Sequence, residues 1–323
     1  MNHSSKPTLM VLGADGFIGR NVLEYFHGLG TYNLIGFYHE DNEYPLLEGV
    51  TQRRGDLKEE STSTNLFEGV DVVIQAAATT TGSQDVINAP FLHVTDNAVM
   101  NSYIFRECHL AGVKHVIFPS CTVMYQPKET AQSEEDWNAS DEIYGNYFGV
   151  GNTKVYLERM CEFYSRLGNT KFTAIRHSNV FGPYDKFDLA KCHVLPAFVN
   201  KIVAATDELE IWGSGKAKRD LLYIDDLVRF IDLAIQNQQD SYELFNCGVG
   251  EAVSILDLAS TICSLEGKTL EFKLNVDKPD IPTTVVLNCD KAKKLLGWEP
   301  KVSLEEGLIN TLAWYKNEYS RSS

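Results

Sequence analysis

The chain has 323 residues, 44% of them hydrophobic, and 29 Lys and Arg against 44 Asp and Glu give a formal net charge of −15. That length can bury a sizeable core in one large domain or two intimate ones. The acidic balance argues against a nucleic-acid surface, which needs a basic stripe, yet a few local arginines can still hold an anionic ligand.

The first apolar run, Leu9-Met10-Val11-Leu12, leads straight into Gly13-Ala14-Asp15-Gly16-Phe17-Ile18-Gly19, and a helix-like stretch from Arg20 to Leu29 follows. Strand, glycine turn and helix in that order suit a dinucleotide pyrophosphate. Gly13 permits the tight turn, Gly16 lets the backbone approach the phosphates, and Gly19 lets the helix lie close to the strand. The helix N-terminus adds unpaired N–H groups and a partial positive charge. Gly13, Asp15, Gly16, Phe17, Ile18 and Gly19 are therefore the expected cofactor contacts, with a ligand-free glycine turn as the alternative. Further strands are expected at Asn33–Phe37, Thr51–Arg54, Val70–Ala76, His115–Pro119 and Lys171–Arg176, with helices at Val94–Ala111 and Lys154–Leu167. Such alternation predicts an α/β fold, a Rossmann-like doubly wound parallel sheet. Asp56 and Leu57, after the third strand, could lie near an adenine ring, or form a simple turn. Ala76, Ala77 and Ala78 follow a buried strand, where small side chains would let a cofactor lie close to the backbone.

After Arg176 the character changes. Asn179–Pro183 reads as a turn-rich exit from a strand, Leu195–Ala205 as a helix, and Trp212-Gly213-Ser214-Gly215 as a turn before Arg219–Asp226. Two amphipathic stretches follow, Ser254–Glu266 and Ser303–Tyr319. The expected division is a dinucleotide-binding domain over residues 1–176 and a smaller, mainly substrate-binding α/β region over 177–323, with 220–248 packing back on the sheet. Ligands of open α/β sheets bind at the carboxyl ends of the strands, where that smaller region would sit. No apolar stretch approaches the roughly 20 residues of a membrane span, and residues 1–7 lack a signal-peptide core. The seven cysteines lack CxxC or metal-like spacing, which reads as reduced thiols in a cytoplasmic protein with no metal site.

Several segments resemble one family. Phe118-Pro119-Ser120-Cys121-Thr122-Val123-Met124-Tyr125 is similar to the strand-end segment of extended short-chain dehydrogenases/reductases, the NAD-dependent epimerase/dehydratase group. Arg176-His177-Ser178-Asn179-Val180-Phe181-Gly182-Pro183 resembles its R-x-x-N-V-Y-G-P segment. Trp212-Gly213-Ser214-Gly215 with Arg219-Asp220 and Tyr223-Ile224-Asp225-Asp226 resembles its substrate-side pattern. Within the family, Asn179 to Phe187, His193 to Ala197, Lys278-Pro279-Asp280 and Leu296-Gly297-Trp298 look like GDP-L-fucose synthases. Those enzymes epimerise and then reduce a GDP-4-keto-6-deoxy sugar with NADPH. The resemblance implies Asn179 and His193 at the sugar, His193 as an acid/base, Arg219 on the diphosphate, and Trp212 and Lys186 on the substrate side. The bland alternatives are a helix-capping role for His193 and an ion pair of Arg219 with Asp220 or Asp225.

The family's chemistry rests on a tyrosine followed four residues later by a lysine, which lowers the phenol's pKa and holds the ribose. Lys154 fits the lysine, but Val150 stands where the tyrosine belongs, and valine exchanges no proton. Tyr147 is the nearest substitute, about 10 Å along a continuous helix from Lys154 rather than about 6 Å. The glycines at 145, 149 and 151 could bring it back; Tyr144 is a second candidate. Cys121 occupies the usual serine or threonine position, with Thr122 adjacent, so either could face the substrate carbonyl. The cysteine that fucose synthases use for epimerisation is replaced by Val123. The second strand ends without a well-placed carboxylate, Glu40 and Asp41 coming late, which leans towards NADP, whereas Asp15 leans towards NAD. The resemblance thus implies NAD(P)H-dependent C4 reduction of a GDP-linked deoxysugar by a homodimer built on Asn97–Gly112 and Gly151–Leu167. A 4-epimerase or dehydratase, and a protein that binds cofactor and nucleotide sugar without turnover, are the alternatives.

Overall fold

The structure of the chain is a computed structural model and describes residues 6–39, 44–80, 89, 91–189, 192–278 and 284–319. The late carboxylates Glu40 and Asp41, and Pro279 and Asp280 of the C-terminal motif, lie outside the described residues.

Apolar strands and glycine turns alternate with helices over the first half, and they assemble as the pattern requires. Strands β1 (Thr8–Leu12), β2 (Asn33–Tyr38), β3 (Thr51–Arg54), β4 (Val72–Gln75), β5 (His115–Pro119) and β6 (Lys171–His177) are joined by β11 (Tyr242–Cys247) in one parallel sheet. Its order is β11-β6-β5-β4-β1-β2-β3, so the direction of winding reverses between β1 and β4, where a crevice opens over their carboxyl ends. Side chains alternate across it. Leu9 and Val11 pack with Val22 and Phe26 of α1 (Phe17–Leu29) and with Leu227 and Ile231 of α6 (Ile224–Asn237). Met10 and Leu12 pack on the opposite face with Ile104 and Phe105 of α3 (Phe91–Leu110) and with Leu157 and Cys161 of α4 (Phe148–Ser165). Burial on both faces explains why the strands read as apolar runs rather than alternating ones. A single turn, α2 (Glu60–Ser63), follows β3.

The described strands agree with the expected ones to within a residue or two. Helix α1 starts earlier, at Phe17, because Gly16 takes an extended N-cap conformation (φ −76°, ψ 163°). Helix α4 likewise starts at Phe148 rather than Lys154. The expected turn at Asn179–Pro183 is corrected in part: Asn179–Phe181 is strand β7, parallel to β10 (Leu221–Tyr223). Its partner lies some forty residues away in sequence, so no local signal marks the pairing.

Two more strand pairs, β8 (Glu208–Trp212) with β13 (Glu271–Asn275) and β9 (Lys218–Arg219) with β12 (Val253–Ser254), stand beyond the sheet with α5 (Val194–Ala204), α7 (Ile255–Leu265) and α9 (Leu304–Trp314). The last helices are tied by buried polar contacts to α6, which packs on the large sheet. The fully buried Trp298, after α8 (Asp290–Leu296), donates its indole N–H to the Asp226 carbonyl at 3.0 Å. The Asp226 carboxylate accepts from the Lys301 and Val302 amides at 2.9 Å each.

Candidate active site

The glycine turn between β1 and α1 is shaped by what it excludes. Gly13 has φ +71°, and a Cβ there would lie 2.7 Å from Ala77 Cα. A Cβ on Gly19 would lie 2.0 Å from the Gly13 carbonyl oxygen, so this glycine lets the helix sit against the turn itself as well as near the strand. Gly16 is exposed and meets only the Gly13 oxygen, at 3.3 Å. No side chain caps α1 and no acidic residue stands in its first turn, which leaves N–H groups aimed at an accessible space. These features fit a dinucleotide pyrophosphate.

The loop after β4 forms the opposite wall. The Gln75 side chain accepts from the Ala77 N–H at 3.2 Å and donates to the Ala77 carbonyl at 3.0 Å and to Asn101 at 2.9 Å. Asn97 grips Thr79 in the same two-sided way, accepting at 3.1 Å and donating at 3.0 Å. These three amides hold Ala76, Ala77 and Ala78 against the glycine turn. A polar side chain on an otherwise buried strand or helix face was the sequence signal that could have found them. Asp56 caps its own turn by accepting from the Lys58 amide at 2.9 Å, and stands 3.7 Å from His39. Leu57 is buried in the sheet-face cluster with Leu12 and Phe37, so only its backbone can face a ligand. At the end of β2 the Arg54 guanidinium lies 5.7 Å from the centre of the Tyr38 ring.

At the carboxyl ends of β5 and β6, Lys154 of α4 donates to the Pro119 carbonyl at 3.2 Å and lies 4.8 Å from the Phe118 ring centre. Burial holds its pKa below the usual range, against the pull of Cys121 and Glu158. Burial pushes the Cys121 thiol up while Lys154 draws it down. Thr122 sits in the turn beside it, half-buried. Val150 lies one helical turn before Lys154, within the continuous helix, so the position of the usual phenol is occupied by an isopropyl group. Tyr147 is the N-cap residue of α4 (φ −100°, ψ 2°) and follows a 3₁₀ turn over Gly145–Tyr147. It packs with Cys121 on the Met124–Ile143 cluster. Burial raises its pKa, and the charges acting on it are those of Arg219, Cys121 and Tyr144. Tyr144 and Tyr147 rings stand 6.0 Å apart. At this irregular helix start Tyr147 shares a cluster with Cys121 and feels the charge of Arg219, while Lys154 acts on Cys121.

Beneath these groups runs a buried network that sequence reading did not resolve. Arg176 pairs with Glu158 at 2.7 Å, both almost wholly buried; Ser120 donates to Glu158 at 2.6 Å, and Arg176 donates to the Tyr125 hydroxyl at 3.1 Å. Tyr125 in turn donates to Asn246 at 2.8 Å, locking the ends of β5, β6 and β11 and fixing the backbone that carries Cys121 and Thr122. Its signal was a charged Glu158 one turn beyond Lys154 on a helix face otherwise buried.

The residues expected on the substrate side stand after β6 and beyond it in the chain. Asn179 donates its side-chain amide to the Asp220 carbonyl at 3.0 Å. The fully buried Asp220 accepts from the Val249 and Gly250 amides at 2.9 and 3.1 Å. His193 is the N-cap residue of α5, and its side chain makes no capping hydrogen bond there. Burial, together with Lys186, lowers its pKa. Lys186 donates to the Thr80 hydroxyl at 3.0 Å, bridging the substrate-side loop to the loop after β4. Trp212 is 37% exposed, with Lys201 and Lys278 ammonium groups 5.4 and 5.3 Å from its ring centre.

Residues 9–248 match the NAD dependent epimerase/dehydratase family. The chain belongs to that family. Among relatives of this epimerase/dehydratase chain, GDP-L-colitose synthase of Yersinia pseudotuberculosis is 25% identical over 96% of this chain and 98% of its own length. GDP-L-fucose synthase of Sinorhizobium fredii is 30% identical over 76% of this chain and 79% of its own. The solved UDP-glucose 4-epimerase of Thermotoga maritima, with UDP-glucose, superposes with a TM-score of 0.83 at 26% identity, covering 97% of this chain and 99% of that one. The seven-stranded sheet with helices on both faces is the Rossmann-like fold of this epimerase/dehydratase group. Among the described residues no helix is long and apolar enough to cross a membrane.

Proposed function

We propose that the chain reduces C4 of a nucleotide-linked 4-keto-deoxy sugar, GDP-linked in the most concrete form, at the expense of NAD(P)H. The observation that carries this reading is the gathering of Lys154, Cys121, His193, Asn179 and Arg219 at the carboxyl edge of a sheet whose first helix N-terminus is uncapped and open. The two synthase relatives, whose names carry GDP-linked sugars, support the base. When bound, the nicotinamide supplies or takes up the hydride at C4.

In this reading Gly13, Asp15, Gly16, Phe17, Ile18 and Gly19 hold the pyrophosphate, and Asp56, Leu57 and Ala76 to Ala78 line the adenosine side. Lys154 holds the nicotinamide ribose. Arg219 meets the sugar diphosphate, a task suited to a planar bidentate cation. Asn179 and His193 position the sugar, with Lys186 and Trp212 on the rim. Cys121, Thr122 and Tyr147 are assigned as hydrogen-bonding partners on the side of the sugar carbonyl. NADP is favoured over NAD because β2 ends on Tyr38 beneath Arg54 rather than on a carboxylate. We assign a homodimer to the paired α3 and α4 faces.

The likeness to a UDP-glucose 4-epimerase favours a second reading, in which bound NAD is recycled by an epimerase or dehydratase. One assay separates them. Purified protein given GDP-4-keto-6-deoxymannose should consume NADPH mole for mole with product, and Lys154→Met should lower that rate about 10²-fold or more. Product formed without net consumption selects the epimerase reading; ligand binding without any product reduces the chain to a binding protein.

A further inference from the structure

With Val150 in the place of the phenol, the site needs another group to exchange a proton with the substrate oxygen. One buried titratable residue at the carboxyl edge has no role in the reading above. His177 is the last residue of β6, paired in register with Cys247 of β11. Arg176, just before it, is taken up by the Glu158 network, and Asn179, just after Ser178, faces the substrate side. The half-buried imidazole is oriented by its own backbone: Nδ1 lies 2.8 Å from the Ser178 carbonyl oxygen. A carbonyl only accepts, so Nδ1 carries the hydrogen and Nε2 keeps its lone pair. Among the described residues Nε2 makes no hydrogen bond.

The charges that act on the ring are those of Lys154 on α4 and His193 at the start of α5, and its register partner on β11, Cys247, is a buried thiol whose pKa burial raises. Burial together with these two neighbours holds the imidazole neutral, its pKa down at about 4. Lys154, which would hold the ribose, and His193, which would position the sugar, are thus the two groups whose charges reach His177. Tyr147, by contrast, is influenced by Arg219 and Cys121.

We propose, on the nucleotide-sugar reading above, that His177 exchanges the proton with sugar O4 through Nε2, in place of the phenol that Val150 lacks. In oxidation the C4–H bond breaks with its electron pair leaving to the oxidised nicotinamide, the O4–H proton passes to Nε2, and the C4–O double bond forms. In reduction the neutral ring first takes a proton from solvent at Nε2; the pair then returns to C4, the Nε2–H bond breaks, O4 takes the proton, and the ring is left neutral. Lys154 stabilises the developing alkoxide charge without being the donor. A neutral resting ring makes His177 a ready base and makes reduction depend on proton uptake, so the reductive rate should fall as pH rises and the oxidative rate should not.

The test reads the ring directly. Protein labelled with ¹⁵N-histidine, with His177 assigned through a His177→Asn variant, is loaded with NAD⁺ and titrated with GDP-mannose. The Nε2 resonance should report an unprotonated nitrogen in the free protein, stay put with NAD⁺ alone, and shift when the sugar joins. His177→Asn keeps a donor for the Ser178 carbonyl, so it should leave NADPH binding within a few-fold while lowering turnover of GDP-4-keto-6-deoxymannose about 10²-fold. Sugar-dependent shifts elsewhere in the site with none at His177, a shift produced by NAD⁺ alone, or turnover that survives the substitution would each overturn the proposal and leave the nucleotide-sugar reading standing. Silence towards GDP-, dTDP- and UDP-sugars alike would overturn that reading and the proposal with it.

Discussion

His115 and Asp185 are each held in the neutral form by burial, and their contributions to stability run in opposite directions with pH. His115, whose Nε2 lies 2.8 Å from the Thr173 hydroxyl, has its pKa lowered to about 4 by burial and by Lys171. Between about 4 and 6.5 the unfolded chain binds the extra proton, so this residue's contribution is full above 6.5 and is lost as pH falls. Asp185 is 6% exposed, with one carboxyl oxygen accepting from the Lys186 amide at 2.7 Å and the other without a hydrogen-bond partner among the described residues. Burial raises it to about 7, so ionisation is resisted in the fold and stability falls as pH climbs from 3.8 towards 7. Urea unfolding of Asp185→Asn and His115→Gln across that range should show Asp185→Asn gaining on the parent as pH rises, by on the order of 2–4 kcal/mol. His115→Gln should compare worst with the parent near neutrality and recover ground in acid; parallel stability curves would remove both assignments. Neither effect was legible in the sequence. A histidine in a strand and an aspartate after a proline-tyrosine turn carry no local mark of what will cover them. Val150, by contrast, was legible as a departure, because spacing to Lys154 along a helix is a local property.

At the scale of elements, the β1–turn–α1 unit is stiff because two backbones touch where side chains would stand. Gly19→Ala places a methyl group 2.0 Å from the Gly13 carbonyl, so the turn or the helix must move. The expected cost is about 1–3 kcal/mol of stability, with a larger loss in NAD(P) affinity because the N–H groups lose their aim. Gly28→Ala, in the same helix with nothing within 4 Å of its Cβ position, should instead stabilise by about 0.5–1 kcal/mol. Thermal melts with and without cofactor compare the two; an unchanged Gly19→Ala protein would mean that the close approach carries no load. The unit was readable from residues alone, since strand, turn and helix are contiguous. The clamp opposite it was not. Gln75 meets Asn101 across 26 residues and Asn97 meets Thr79 across 18, and only the packing of α3 on the sheet brings these amides to the loop after β4.

Across the whole molecule, α3 and α4 pack side by side on one face of the sheet and leave Leu110, Tyr156, Phe163 and Leu167 exposed by half or more. Large apolar side chains clustered this way mark an association surface. On the homodimer proposed above, the parent should sediment as a dimer and a Leu110→Glu, Phe163→Glu double variant as a monomer with unchanged helix content; identical sedimentation would place the contact elsewhere or remove it. What the sequence by itself determined is the class of the fold: apolar runs, glycine turns and helical periods are contiguous, and each is dictated by neighbours within a few residues. The sequence placed 220–248 back on the sheet of the first half, but the order β11-β6-β5-β4-β1-β2-β3, with Tyr242–Cys247 as its edge strand, came from tertiary structure alone. So did the company each polar residue keeps. Arg176 meets Glu158, Lys186 meets Thr80, and His177 comes under the charges of Lys154 and His193 because segments far apart in sequence end at one edge. Sequence named the missing phenol; only the meeting of β6, α4 and α5 at that edge supplied a histidine to stand in for it.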